Sequence, residues 1–332
     1  MRSTQIPVVR RVHLTPYTEL LERIGAPVDR LLSKAGLPLR EQPGAVYVSN
    51  RRYFEFLDLA ARSQGIRDLG YQAGMRVGRS RLSKNLATRI DQAPSLYVAL
   101  KCFQRDIHAD ANRIVTALVE RDDRLLFVQR SSSDAGPVGW ETSEQLVAMM
   151  FLDIVRHFAG EYWFPAEVST RSEFIPLGAL EVLPDTKWRG GELSLLIPVP
   201  RHILFLPPQG LPVQADERNV PPPLPSLDDF TDTLREVLKG HLADGTASLE
   251  LAADIVGTAP RTLQRMLAGN ETSFSEVVDR ARYEVASSLM ADPTFRIADV
   301  AHAAGYKSPT NFSRAFRRVS GVTPREYRRL QR

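Results

Sequence analysis

The sequence predicts two domains of different class. The N-terminal one is α+β, mixed helices and a sheet; the C-terminal one is all-α, two helix pairs joined by a linker helix. Three observations support this division. Apolar residues follow helical spacing up to about residue 108, then alternate in short runs. Seven prolines crowd residues 207–225, which suits a semi-rigid linker. Helical spacing then returns, and one pattern occurs twice. The expected division is 1–206, 207–225 and 226–332.

Helices open the chain. Residues 17–23 and 28–34 are short, with Gly25 and Gly36 as stops. Asn50 caps RRYFEFLDLAARSQ, in which Phe54, Leu57, Leu59 and Ala60 supply apolar contacts. Residues 66–77 and 82–91 follow, and Ser95 caps 96–108. RIVTALVE (113–120) and RLLFVQR (124–130), joined by Arg121-Asp122-Asp123, form a β-hairpin. A long helix covers 142–158, and 167–174, 192–199 and 202–207 are further strand candidates.

In the C-terminal domain, Ile297, Val300, Ala301 and Ala304 share one side of a small-residue helix, and Gly305 stops it. Ser308 caps the next helix, with Pro309 at its first position, where a missing N–H costs nothing. At 100° per residue, Phe312, Ala315, Phe316 and Val319 fall on one face. Thr310, Asn311, Arg314, Arg317 and Arg318 fall on the other. Such a helix is either a solvated surface helix or the reading helix of a helix-turn-helix.

The same grammar occurs upstream in LAADIVGTAPRTLQRML (251–267). Gly257 is 48 residues before Gly305, and Pro260 is 49 before Pro309. Leu263, Met266 and Leu267 face inward; Arg261, Gln264 and Arg265 face outward. The two units are expected at about 249–268 and 297–319. Between them a helix at about 274–290 has Val277, Val278, Ala281, Val285 and Leu289 as its inner face. A linker helix sets the spacing of two reading helices, which then fit successive major grooves about 34 Å apart.

On these residues, 248–328 resemble the DNA-binding domain of the AraC/XylS family of bacterial transcription regulators. The match runs through Pro260-Arg261-Thr262-Leu263-Gln264-Arg265 and through Ile297-Ala298-Asp299-Val300-Ala301 to Gly305-Tyr306. It continues in Asn311-Phe312-Ser313-Arg314-Ala315-Phe316-Arg317 and Gly321-Val322-Thr323-Pro324. Ala259 departs from the more usual serine cap. The N-terminal region resembles the arabinose-binding-like domain of some of these regulators, through its opening helices, the Pro94-Ser95-Leu96 helix start and the hairpin. The resemblance implies an unidentified small-molecule effector, a homodimer, and double-stranded DNA and RNA polymerase as partners. Two alternatives stand beside it: an N-terminal domain used only for dimerisation or protein contact, and an enzyme carrying an AraC-type module.

Base contacts are expected from Arg261, Gln264, Arg265, Thr310, Asn311 and Arg314, because arginine suits guanine and glutamine or asparagine suits adenine. Lys307, Arg317, Arg318 and Arg325 are expected on phosphates. Residues 305–332 carry eight Lys/Arg against Glu326, whereas 225–254 carry seven acidic residues against two basic, an oriented field. In the N-terminal domain Arg76, Arg79, Arg81 and Lys84 form either a solvated basic loop or an anionic-effector site. Trp140 and the Tyr162-Trp163-Phe164 group either line an effector pocket or belong to an aromatic core.

No cofactor, metal or catalytic residue is expected. Phosphate-loop, nucleophile-elbow and zinc-helix motifs are missing, and the histidines are scattered. Cys102, expected as a buried inert thiol, is the only cysteine, so a disulfide within one chain is excluded and a reducing cytoplasm fits. No run of 18 apolar residues marks a membrane span, and residues 1–10 lack the apolar core of a secretory signal.

Overall fold

The computed structural model describes residues 5–39, 45–75, 82, 84–131, 139–173, 175, 177–209 and 229–330. Its elements begin with β1 (Val8–Arg10), α1 (Thr15–Arg23), α2 (Val28–Lys34), β2 (Tyr47–Ser49) and α3 (Asn50–Gln64). Next come α4 (Leu69–Gly74), α5 (Lys84–Asp91), α6 (Leu96–Asp106), β3 (Ile114–Arg121), β4 (Arg124–Ser131) and α7 (Trp140–Ala159). Then follow β5 (Glu167–Ser169), α8 (Leu177–Val182), β6 (Lys187–Arg189) and β7 (Leu195–Pro200). The C-terminal run is helical: α9 (Phe230–Lys239), α10 (Leu249–Val256), α11 (Pro260–Gly269), α12 (Phe274–Met290), α13 (Ile297–Ala303), α14 (Pro309–Ser320) and α15 (Pro324–Leu330).

Contacts divide the chain into two compact units that do not follow sequence order. One comprises residues 12–35 and 50–221; the other comprises 1–11, 36–49 and 222–332. The stretches 1–11 and 36–49, expected in the N-terminal domain, therefore group with the C-terminal helices. From residue 210 to 228 the proline-rich stretch expected as a linker lies outside the described residues.

The first unit is α+β. Its sheet has the order β3-β4-β7-β5-β6, antiparallel except for the parallel β5–β6 pair. The expected hairpin is present, in register from Ile114↔Ser131 to Arg121↔Arg124. Asp122 takes φ 54 at its turn, a conformation that aspartate tolerates better than most residues. α7 is buried on most sides, with Leu146, Phe151, Leu152, Ile154, Val155 and Phe158 in the core and the polar Glu144, Gln145 and His157 buried beside them. Phe151 stacks on Phe127 of β4 at 4.0 Å.

Several expected elements are shorter or different. The strand expected at 167–174 stops at Ser169, where Thr170 and Ser172 turn the chain through side-chain hydrogen bonds. Residues 202–207 are not a strand: they begin inside a 3-10 turn, Arg201–Ile203, and continue without a ladder. The carbonyls of Leu204 and Leu206 accept the N–H groups of Tyr97 (2.8 Å) and Leu96 (3.1 Å). They thus satisfy two orphan donors at the start of α6, and the apolar alternation serves burial of Ile203 and Leu204 instead of a ladder. The helix expected at 66–77 is α4, six residues long. β1, β2, β6 and α8 carry no clear sequence signal, the strands among them being three residues each. The sequence reading missed α9, although Asp229 caps it and Phe230, Leu234, Val237 and Leu238 follow helical spacing.

Glu144 is buried on α7, where its carboxylate accepts the Arg171 N–H at 3.1 Å. Burial outweighs that bond and pushes its pKa up to about 7. The folded state therefore holds a proton that the unfolded chain releases, and stability is lost as pH rises from about 4.5 through about 7. We expect the unfolding midpoint of this unit, read by tryptophan emission, to fall over that window by the equivalent of about 3 kcal/mol. Glu144→Gln should flatten the dependence.

The second unit is helical from residue 229 to 330, around one apolar core. α12 lies at its centre, against α9, α13 and α14. Ser273 and Glu276 form a reciprocal capping box that starts α12. All five residues expected on its inner face are buried. The antiparallel β1–β2 pair contributes Val8 and Tyr47 to the same core, with Ile6 just before β1, beside Phe230, Leu234 and Leu238 of α9. Most of the charge on α9 is consumed internally. Lys239 contacts Glu236 (2.5 Å) and Glu284 (2.8 Å), and Arg235 contacts Asp232 (2.6 Å) and Glu284 (3.2 Å). This network neutralises part of the acidic stretch expected to contribute to an oriented field.

Tyr47 is 1% exposed, so Tyr47→Ala should destabilise the helical unit by about 3 kcal/mol through the cavity it leaves. Far-UV circular dichroism melts should show it. All three tryptophans lie in the other unit, so their emission serves as an internal control.

Candidate nucleic-acid interface

Each helix pair is folded by its own turn. Ser248 Oγ accepts from Leu251 N to start α10, and Gly257 ends it at φ 75. The Gly257 N–H bonds the Asp254 carbonyl and the Thr258 N–H the Ala253 carbonyl. The second pair repeats both bonds at the same offsets: Gly305 N–H to His302 carbonyl, Tyr306 N–H to Ala301 carbonyl. Gly305 has φ 78. The repeat seen in the sequence is thus a repeat of backbone hydrogen bonding, a left-handed glycine serving the orphan carbonyls of each first helix.

The second helices start differently. Ser308 Oγ accepts from Thr310 N (3.2 Å) and Asn311 N (3.5 Å) before α14. Ala259 offers no side-chain cap to α11, as its departure from serine implies. α14 is anchored by Phe312 and Phe316, both buried. Tyr306, Tyr283 and Tyr327 surround them at ring distances of 5.3–5.6 Å. Val319, expected on the inner stripe, is 38% exposed because it lies in the last turn of α14.

The outward faces are open. Arg261, Gln264 and Arg265 on α11 and Thr310, Asn311 and Arg314 on α14 are exposed. Among the described residues, none of these six side chains is drawn into a hydrogen bond or ion pair. Lys307, Arg317 and Arg325 are also exposed. Arg318 is different: its guanidinium lies 2.5 Å from Asp279 of α12. Asp279 also faces Arg282, whose guanidinium sits 4.8 Å from the Tyr306 ring centroid. Arg318 thus clamps α14 to the linker helix. The acidic groups nearby are occupied as well. Arg296 pairs with Asp299, and hydrogen bonds from Thr323 hold the Glu326 carboxyl below the usual range.

A groove of about 500 Å³ that the sequence reading missed lies between the starts of α13, α14 and α15. Ile297, Thr310, Ser313, Thr323 and Arg325 line it. The signal was available in the two cap-proline pairs, Ser308-Pro309 and Thr323-Pro324, which bring helix starts together.

Comparison with known proteins agrees with this geometry. Residues 252–330 match the helix-turn-helix domain family. They form an AraC-type helix-turn-helix domain. The chain is 32% identical over 105 residues to the HTH-type transcriptional regulator VirS of Mycobacterium tuberculosis, covering 32% of this chain and 31% of that protein. It is 42% identical over 104 residues to the HTH-type transcriptional regulator RipA of Corynebacterium glutamicum, covering 31% and 30%. The chain therefore matches about a third of the length of these relatives. Among solved structures, the transcriptional regulator CdpR of Pseudomonas aeruginosa aligns over 96% of this chain and 98% of its own, with 18% identity and a TM-score of 0.44.

The residues expected to hold an effector are not brought together as a described set. Arg76, Arg79 and Arg81 lie outside the described residues. Trp140 starts α7, with the Arg171 guanidinium 4.3 Å from its ring centroid. Tyr162 is 85% exposed and so is not part of an aromatic core, while Arg156 covers Phe164 at 4.9 Å. Cys102 is half-buried on α6, not enclosed. His13 faces Asp110 at 3.5 Å and His157 faces Asp91 at 3.6 Å, each a buried pair.

The two glycine turns of the AraC-type domain should respond unequally to substitution. A Cβ on Gly257 meets nothing within 4 Å, whereas one on Gly305 would sit 2.5 Å from the Leu242 carbonyl oxygen. Gly257→Ala should cost only the left-handed penalty, about 1 kcal/mol. Gly305→Ala should cost more and lower the urea midpoint of the helical unit further.

Proposed function

We propose that this protein is a sequence-specific transcription regulator that sets α11 and α14 into successive major grooves on one face of a duplex. The observation that carries the reading is the pair of matched glycine turns, each presenting a helix whose outward polar side chains are exposed while its apolar face is locked in one core. In this reading Arg261, Gln264, Arg265, Thr310, Asn311 and Arg314 contact bases. Lys307, Arg317 and Arg325 contact phosphates, with Arg325 and Thr310 bordering the groove between the helix starts. Arg318, exposed although paired with Asp279, is proposed on phosphate as well. The names of the relatives, transcriptional regulators all, support the same conclusion.

The proposal extends to the rest of the chain: a small-molecule effector held by the α+β unit, a homodimer, and RNA polymerase as the downstream partner. The resemblance of the N-terminal region to an effector-binding and dimerisation domain supports these parts.

Binding of the full chain to its operator should separate the two kinds of contact. Arg314→Ala should lose discrimination at one base position, by about 1–3 kcal/mol. Arg317→Ala should weaken all sequences alike and reduce the slope of log affinity against log salt by about 0.9. Titrations of a base-substituted operator panel at several salt concentrations measure both. If the two variants behaved identically, the division into base and phosphate contacts would be wrong.

A further inference from the structure

The sheet of the first unit ends at β3, an edge strand of eight residues. Protein edge strands of this length are ordinarily blunted by charge, proline or a bulge, because their free backbone groups invite another strand. β3 has none of these between Ile114 and Val119, and it pairs with β4 without a bulge. Its outward valines are open: Val115 is 51% exposed and Val119 45%. A groove of about 540 Å³ between α6 and β3 sets Tyr97, Val98 and Thr116 beside the polar Lys101, Gln104, Arg105 and His108. Phe205, 70% exposed, borders a second recess with Tyr97 and Glu120.

We propose that β3 is the docking edge for a second copy of this chain, paired antiparallel to itself about a two-fold axis at Ala117. This deepens the dimer named in the proposed function and supplies its surface. A two-fold normal to the sheet keeps each face on its own side, so only residues of equal parity stand opposite one another. Centred on Ala117, the pairing sets Val115 against the partner's Val119, twice, and Thr116 against the partner's Leu118. The smallest side chain of the strand falls on the axis. Moving the centre to Leu118 would set Val115 against Arg121; moving it to Thr116 would set Val119 against Arg113. Only the Ala117 centre covers each exposed valine with another. It sets Arg113 opposite Arg121 at the two ends of the ladder, where solvent screens like charges. An unrelated extended peptide has no reason to satisfy this self-matching pattern.

The test uses the full chain with Cys102→Ser, so that introduced thiols are the only ones. In the proposed register Ala117 and its copy have Cα atoms about 4.5–5.5 Å apart, within disulfide reach. Val119 and its copy are offset by four residues, roughly 14 Å. Ala117→Cys should therefore give a covalent dimer on mild oxidation, while Val119→Cys should not; Val115→Cys combined with Val119→Cys should. Without added cysteines, Val119→Lys should raise the dimer dissociation constant at least tenfold in sedimentation, with an unchanged melting profile. A chain that stays monomeric at tens of micromolar, or equal crosslinking of Ala117→Cys and Val119→Cys, overturns the proposal. Operator binding by Arg314→Ala is read separately, so failure of the β3 edge and failure of the DNA reading give different results.

Discussion

Burial of α12 in one apolar core is the constraint on which the rest of the helical unit depends. Val277, Ala281, Val285 and Leu289 face inward along four turns, and α9, α13 and α14 all pack against this helix. A reading helix is useful only when its orientation is held against thermal motion, and that rigidity comes from packing density, not from the polar residues that read. Phe312 and Phe316 transmit it to α14, with Tyr283 of α12 and Tyr327 of α15 closing around them. Arg318 adds a polar clamp at the other edge of the same contact by pairing with Asp279. The exposed side chains of α11 and α14 are thus carried on a scaffold that leaves them little to do except meet a ligand.

The helical unit is also not self-contained in sequence. Val8 and Tyr47 enter its core through two three-residue strands, with Ile6 just before the first, and the Arg11 N–H bonds the Val46 carbonyl at 2.8 Å. Strands this short are marginal alone; here their apolar side chains are buried against α9, which compensates. The consequence is covalent. Chain segments cross between the two units near residues 11, 35, 49 and 221, so the α+β unit is tied to the helical one at more than a single linker.

Polar groups away from the interface are largely paired within their own unit. The Arg235–Lys239–Glu284 network fastens α9 to α12, and Gln145 joins α7 to α4 by accepting the Gly70 N–H at 3.0 Å and donating to the Arg67 carbonyl at 2.9 Å. Against that background, the polar faces of α11 and α14 and the valines Val115 and Val119 of β3 stand out as exposed.

What the sequence by itself determined were features with local causes. The matched glycine–proline units, the Ser95 and Ser308 caps, the hairpin expected at 113–130 and the outward placement of Arg261, Gln264, Arg265, Thr310, Asn311 and Arg314 all follow from periodicity, capping and turn chemistry, which act within a few residues. What only the tertiary structure decided were features set by distant neighbours. Residues 202–207 alternate like a strand, yet the carbonyls of Leu204 and Leu206 accept the N–H groups that start α6. Arg318 lies on the basic face of its helix yet is held by an aspartate 39 residues away. β1 and β2 are too short to show a period, and they exist because α9 offers an apolar surface to cover. Local pattern sets which face a side chain occupies; the partner waiting at that face is chosen by the folding of the whole chain.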